Sequence, residues 1–257
     1  MSRKISPNPS LEKRGVREWK GFLKQMPKKP FIYNLYDAPK SGQEIEEWSF
    51  AIIDREVPPH HFTPDEWQVV RRMIHTTGDF SIVEAVRFSP GAISSAIKAL
   101  KDGSPIYVDS NMIRSGLSRE RLKAANREYG SDRIFCHIAD EDVARDAHDA
   151  GLPRSLFAVR KARPILSGCI AVFGNAPVAL LELNRMIIEE GIRPALVIAM
   201  PVGFVHVIES KDEIMSLNIP YIAMKGRRGG SPIVVSVIHA LCSLAESGPG
   251  GRDEETE

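Results

Sequence analysis

Cysteine is scarce in this chain: Cys136, Cys169 and Cys242 are the only three in 257 residues, widely spaced and without a C-x-x-C. That count argues against a disulfide framework or a structural zinc site and fits a reducing cytoplasm. No apolar run approaches the roughly 18 residues a membrane helix needs. The positively charged start has no continuous apolar stretch behind it, so no secretory signal is expected. No G-x-G-x-x-G follows a strand pattern, and no G-x-x-x-x-G-K-[ST] or G-x-S-x-G occurs. Those absences speak against a phosphate-cradling nucleotide site and against a nucleophile elbow. Neither sign of charge is in excess, with 34 Lys and Arg against 33 Asp and Glu. A global basic field for nucleic acid is therefore missing.

The balance hides a segregation. Residues 1–30 carry nine Lys and Arg against Glu12 and Glu18, which leaves a mildly acidic body. Within this basic extension, Leu11, Val16, Trp19, Phe22, Leu23 and Met26 have helical spacing, predicting an amphipathic helix over 10–26. Packing on its own domain or on a partner subunit is the simplest use of such a face. At the other end, residues 248–257 begin with a Gly-Pro-Gly-Gly run and finish acidic, the pattern of a solvated tail. One domain is expected over 31–247.

Within it, Thr63, Pro64 and Glu66 have the form of a capping box opening a helix, with Trp67, Val70 and Ile74 as its apolar stripe. Gly78 should end that helix, placing His75 in its last turn. From residue 91 onward, short β-branched runs alternate with helical patterns. Strands are expected at Pro105–Asp109, Ile134–Ile138, Cys169–Gly174, Ala195–Pro201 and Tyr221–Lys225. Helices are expected around 91–101, 118–128, 140–150, 154–166, 177–190, 207–217 and 232–245. Five strands joined by helices predict a three-layer α/β/α domain with a mostly parallel sheet, flavodoxin-like in strand order.

Ligands of open α/β sheets bind beyond the carboxyl ends of the strands. Three loops there are rich in Gly and Pro: 174–177, 200–204 and 226–232. Each leads from a strand into a helix, so each is expected to offer free backbone N–H groups and a positive helix end to an anion. Any single loop of this kind reads equally well as an ordinary tight turn. Three together, one carrying Arg227 and Arg228, favour an anionic ligand. Among the seven histidines, His60 and His61 are adjacent in a loop, His137 and His239 lie in apolar segments, and His148 sits on a polar helix face. His206 borders the second loop. His75 stands apart, because a helix C-terminus favours a cation by about 0.3–1 kcal/mol, which suits a hydrogen-bond donor or acid.

Taken in order, Ser49–Ile53, Met73–Thr76, Phe88–Pro90, Gly174–Pro177, Met200–Phe204 with Glu209–Lys211, and Gly226–Ser231 resemble the precorrin-8X methylmutase family over about residues 45–245. The resemblance implies an isomerase of corrin-ring biosynthesis that moves a methyl group from carbon 11 to carbon 12 of ring C. It implies a flavodoxin-like fold, a homodimer with the site near the subunit interface, a corrinoid substrate, and no cofactor or metal of the protein's own. His75 falls on the family's catalytic histidine, Ser49 on a substrate-site serine and Arg154 on a substrate-site arginine. Asn175, Gly203, Lys211, Arg227, Arg228, Gly229 and Ser231 are the further substrate-binding candidates. Dispersed donors of this kind match a macrocycle bearing several carboxylate arms. A non-catalytic tetrapyrrole-binding protein of the same fold is the alternative.

Overall fold

A computed structural model describes Pro30 and residues 32–247. The expected helix over 10–26 and the acidic tail lie outside the described residues. The chain divides into two compact units, one reaching Ser49 and the other running from Phe50 onward. In the first, α1 spans Ile32–Asp37, and α2 (Gly42–Glu56) begins at a reciprocal pair. There Ser41 N–H donates to Glu44 Oε2 at 2.7 Å, and Glu44 N–H donates to Ser41 Oγ at 3.2 Å.

The second unit is built on a six-stranded sheet. Its strands are β1 (Val86–Phe88), β2 (Ile106–Val108), β3 (Ile134–Phe135), β4 (Ile170–Phe173), β5 (Leu196–Ala199) and β6 (Tyr221–Met224), in spatial order β1-β6-β5-β4-β2-β3. Strands β2 to β6 are parallel and follow the flavodoxin order, with the direction of winding reversing between β2 and β4. The sixth strand, β1, is antiparallel to β6. Its three residues, with Arg87 in the middle, are too short to show a strand pattern. Instead Ser89 clamps it: Ser89 N–H donates to the Tyr221 carbonyl at 3.0 Å, and Tyr221 N–H donates to Ser89 Oγ at 2.8 Å. Strand β3 is shorter than its sequence suggests, because His137 turns to Asp140 at 2.8 Å and the chain leaves the sheet.

Side chains alternate along each strand and so build two cores. Ile106, Val108, Ile170, Val172, Ile198 and Met224 face one way and pack beneath α3 (Pro64–Thr77), α5 (Ala92–Lys101) and α12 (Ser231–Ser247). Tyr107, Ala171, Phe173, Val197, Ala199 and Ala223 face the other way, against α9 (Arg154–Leu166), α10 (Pro177–Glu190) and α11 (Val207–Ser216). Both faces are covered, which is why β4 and β5 read as unbroken apolar runs. Three short helices, α4 (Ile82–Ala85), α6 (Asn111–Gly116) and α7 (Arg119–Ala125), and the outer α8 (Glu141–Ala150) complete the unit. Among the described residues, no helix is long and apolar enough to cross a membrane.

The helix that carries His75 is fixed at both ends. Thr63 Oγ1 accepts from Glu66 N–H at 3.3 Å, and Glu66 Oε2 accepts from Thr63 N–H at 2.9 Å. At the far end Gly78, at φ 66°, donates its N–H to the Ile74 carbonyl at 2.7 Å. Removing the Thr63 hydroxyl by Thr63→Ala should cost about 1 kcal/mol, seen as a lower urea midpoint at unchanged m-value.

Candidate active site

The carboxyl edge of the parallel strands gathers the loops singled out in the sequence, and the structure shows how their polar groups are occupied. In loop 174–177 the N–H groups are not free. Asp109, at the end of β2 and only 1% exposed, accepts from Gly174 N–H at 3.1 Å, Asn175 N–H at 2.9 Å and Ala176 N–H at 2.7 Å. The expectation that this loop offers its backbone donors to a ligand is therefore corrected, and Asn175 presents its exposed side chain instead. Burial pushes the Asp109 carboxyl up to about 6, against the pull of those three hydrogen bonds. No sequence signal marked Asp109 beyond its place at the end of a strand.

The other two loops are locked together. Gly230 N–H donates to the Met200 carbonyl at 3.0 Å, and Gly203 N–H donates to the Arg227 carbonyl at 3.2 Å. A Cβ on Gly229 would lie 2.0 Å from that same Met200 oxygen, so only glycine lets the loops approach. Gly203 and Gly229 thus shape the turn through their backbone.

Lys211 holds the third loop from below. The side chain is fully buried, and its ammonium donates to the Gly226 carbonyl at 3.0 Å and the Arg228 carbonyl at 2.7 Å. The expectation that Lys211 meets a substrate carboxylate gives way to this geometry, because its charge points into the protein. Burial lowers its pKa to about 8.

The two arginines of the loop differ. Arg228 reaches past the end of α3, 3.1 Å from the Asp79 carboxylate and hydrogen-bonded to Ser81 Oγ. Arg227 has no carboxylate partner among the described residues and lies over the Phe204 ring, 5.8 Å from its centroid. Phe204 itself is 86% exposed.

Beside this loop, a cavity of about 330 Å³ opens between the end of α3, α6 and the first turns of α12. Arg72, Thr76, Met112, Ser231 and His239 are among its walls. Ser231 Oγ lies 3.2 Å from Ser110 Oγ, and His239 Nε2 accepts the Ser118 N–H at 3.0 Å. His75 is exposed on the same turn as Arg72 and Thr76, its ring 5.4 Å from that of Phe50. Arg154, exposed, opens α9, which leads into the amino end of β4 and therefore starts on the carboxyl side of the sheet. Ser49 belongs to the first unit, where its hydroxyl donates to the Ile45 carbonyl at 2.8 Å. His206, the N-cap of α11, has φ 59°, a left-handed conformation that few side chains adopt.

A larger cavity of about 860 Å³ lies between the start of α3 and α5, bounded by Phe88 and Pro90. It sits towards the amino ends of the parallel strands and contains none of these groups. Of the candidate residues, Ser231 is a wall of the smaller cavity.

A model of the family described as precorrin-8X methylmutase matches residues 44–244. The chain belongs to the precorrin-8X methylmutase family. It is 47% identical over 212 residues to a cobalt-precorrin-8 methylmutase of Leptospira interrogans, covering 79% of this chain and 94% of the relative. A precorrin-8X methylmutase of Pseudomonas aeruginosa is 36% identical, with 82% and 100% covered. The solved structure of precorrin-8X methyl mutase from Thermus thermophilus superposes with a TM-score of 0.71 at 44% identity, over 78% of this chain and 96% of that one.

For this family member the pH dependence of stability should carry the signature of Lys211. Between about pH 8 and 10.5 the unfolded chain keeps the lysine proton that the folded chain has released, so this group makes stability rise with pH. Lys211→Met should remove that rise and loosen the arginine loop. Denaturation curves of both proteins across the window test it, and parallel pH profiles would contradict the assignment.

Proposed function

We propose that this chain catalyses the migration of a methyl group from carbon 11 to carbon 12 of ring C, converting precorrin-8X to hydrogenobyrinic acid, or cobalt-precorrin-8 to cobyrinic acid, in cobalamin biosynthesis. The observation that carries the reading is the placement of His75. It sits exposed in the last turn of α3, the turn that gives Arg72 and Thr76 to the cavity wall, and Asp79 just beyond that helix pairs with Arg228. Family membership supplies the reaction class.

In the shift the bond from carbon 11 to the methyl breaks as the bond to carbon 12 forms, and the π electrons redistribute. Substrate and product are isomers, so the step consumes no oxidant and no hydride. His75 donates a hydrogen bond to a ring nitrogen and stabilises the charge that shifts onto it. Arg227 and Arg154 hold carboxylate arms, while the Ser231 hydroxyl and the Asn175 amide meet polar edges of the macrocycle. Lys211, Gly203 and Gly229 act through the loops they shape, and Arg228 through its hold on the end of α3. Ser49 completes the substrate set on the strength of the resemblance.

A cavity of 330 Å³ is at the small end for ligand sites, so one chain encloses only part of a corrin. Phe204 and Val205 on the second loop and Met112 at the start of α6, exposed by 86%, 70% and 67%, leave apolar surface at this edge. Both facts support a homodimer in which a second copy covers the bound macrocycle. The buried free cysteines suit a cytoplasmic enzyme. Relatives named for the cobalt-bearing and for the metal-free substrate both match, so turnover of the two side by side decides which this enzyme uses. Product binding without turnover of either would establish the non-catalytic alternative.

His75→Ala should abolish methyl migration while product still binds, followed by the absorption spectrum of the corrinoid. Near-parental turnover would remove His75 from the mechanism. Arg227→Ala should weaken substrate binding by about tenfold to a hundredfold, the worth of one charge-assisted contact of roughly 1.5–3 kcal/mol. The loss should shrink as salt is raised. Arg228→Ala, which breaks a half-exposed pair with Asp79, should affect binding less.

A further inference from the structure

Asp109 ends β2 at the point where the strand order reverses, the crevice in which sheets of this order take their ligands. Three successive backbone N–H groups converge there from the loop after β4, and the next residue, Pro177, has no N–H to add. Such a run of donors at a helix start is an anion nest. In this protein the nest is already filled, by a carboxylate from the neighbouring strand.

The filled nest sets the surface around it. With its N–H bound to Asp109, Gly174 packs so tightly that an added Cβ would be 3.1 Å from Ser231 Cα and 2.9 Å from Val234 Cγ2. Ser110, the residue after Asp109, caps α6 through its hydroxyl (Ile113 N–H donating at 3.3 Å) and meets Ser231 Oγ at 3.2 Å. Asn175, whose N–H is also bound to Asp109, turns its side chain outward. One buried carboxylate therefore fixes the backbone under three polar groups of the site while touching none of the space a ligand would occupy.

We propose that Asp109 is a positioning residue for the corrinoid site: an internal anion that occupies the switch-point nest, sets Asn175, Ser110 and Ser231, and closes the nest to a free anion such as phosphate. The substrate part rests on the function proposed above; the nest part does not.

The test uses the full chain with Asp109→Ala and Asp109→Asn, and formate as the small anion. Asp109→Ala should raise KM for the corrinoid by about tenfold or more with kcat per folded molecule nearly unchanged, because His75 stands on a different element. Formate should raise the melting temperature of Asp109→Ala but not of the parent, and should bring KM back towards the parent value. Asp109→Asn keeps the shape and one acceptor but turns an NH₂ group towards the donors, so its KM should lie between. If Asp109→Ala does not fold, the Asn variant is measured in the same way. An unchanged KM with activity lost only in proportion to unfolded protein would overturn the positioning role. A folded Asp109→Ala whose melting ignores formate would overturn the nest. A parent that turns over neither substrate would instead refute the proposed function and leave the formate result standing.

Discussion

The parallel sheet is covered on both faces by apolar cores, and its glycine-rich loops gather at the carboxyl edge of the strands. At that edge the loops are held by two buried charges of opposite sign. Asp109 gathers three N–H groups of the loop after β4, and Lys211 gathers two carbonyls of the loop after β6. Backbone donors are fixed by an anion and backbone acceptors by a cation. The glycine-rich loops are thereby given one shape each, although their sequences alone would permit many.

Neither charge is there to stabilise the fold at neutral pH. Burial raises the Asp109 carboxyl to about 6 from an ordinary 3.8, so the folded state holds this proton more tightly than the unfolded chain does. The stability this group contributes is present below pH 3.8 and lost as pH rises through 6. Lys211 is displaced in the opposite direction by the same cause. Each costs something to ionise in place, and what the fold gains is geometry: a loop whose backbone is already ordered before substrate arrives.

The end of α3 is tied into the same arrangement from the other side. Its start is fixed by the Thr63 and Glu66 pair and its end by Gly78, while Arg228 joins the arginine loop to Asp79 and Ser81 just beyond it. His75 and Arg227 therefore stand on two elements joined by a charge pair. Phe204, largely exposed, lies beneath the Arg227 guanidinium at this edge.

The sequence by itself determined the layers of the sheet domain, five of its strands, the helix carrying His75 with both of its caps, and the family. Those features rest on local signals: alternating apolar runs, a capping box, a terminal glycine, and loop motifs that survive as written order. It missed β1, because three residues with a charge at the centre hold no period, and the strand exists only through pairing with β6. It also assigned the wrong partners to the loops. The N–H groups of 174–177 and the charge of Lys211 read as available to a ligand, since Asp109 stands 65 residues before Gly174 and Lys211 stands 15 before Gly226. Which polar groups remain free for substrate is decided by pairs distant along the chain, and a hydrogen bond formed inside the protein removes a donor that no sequence pattern shows as taken.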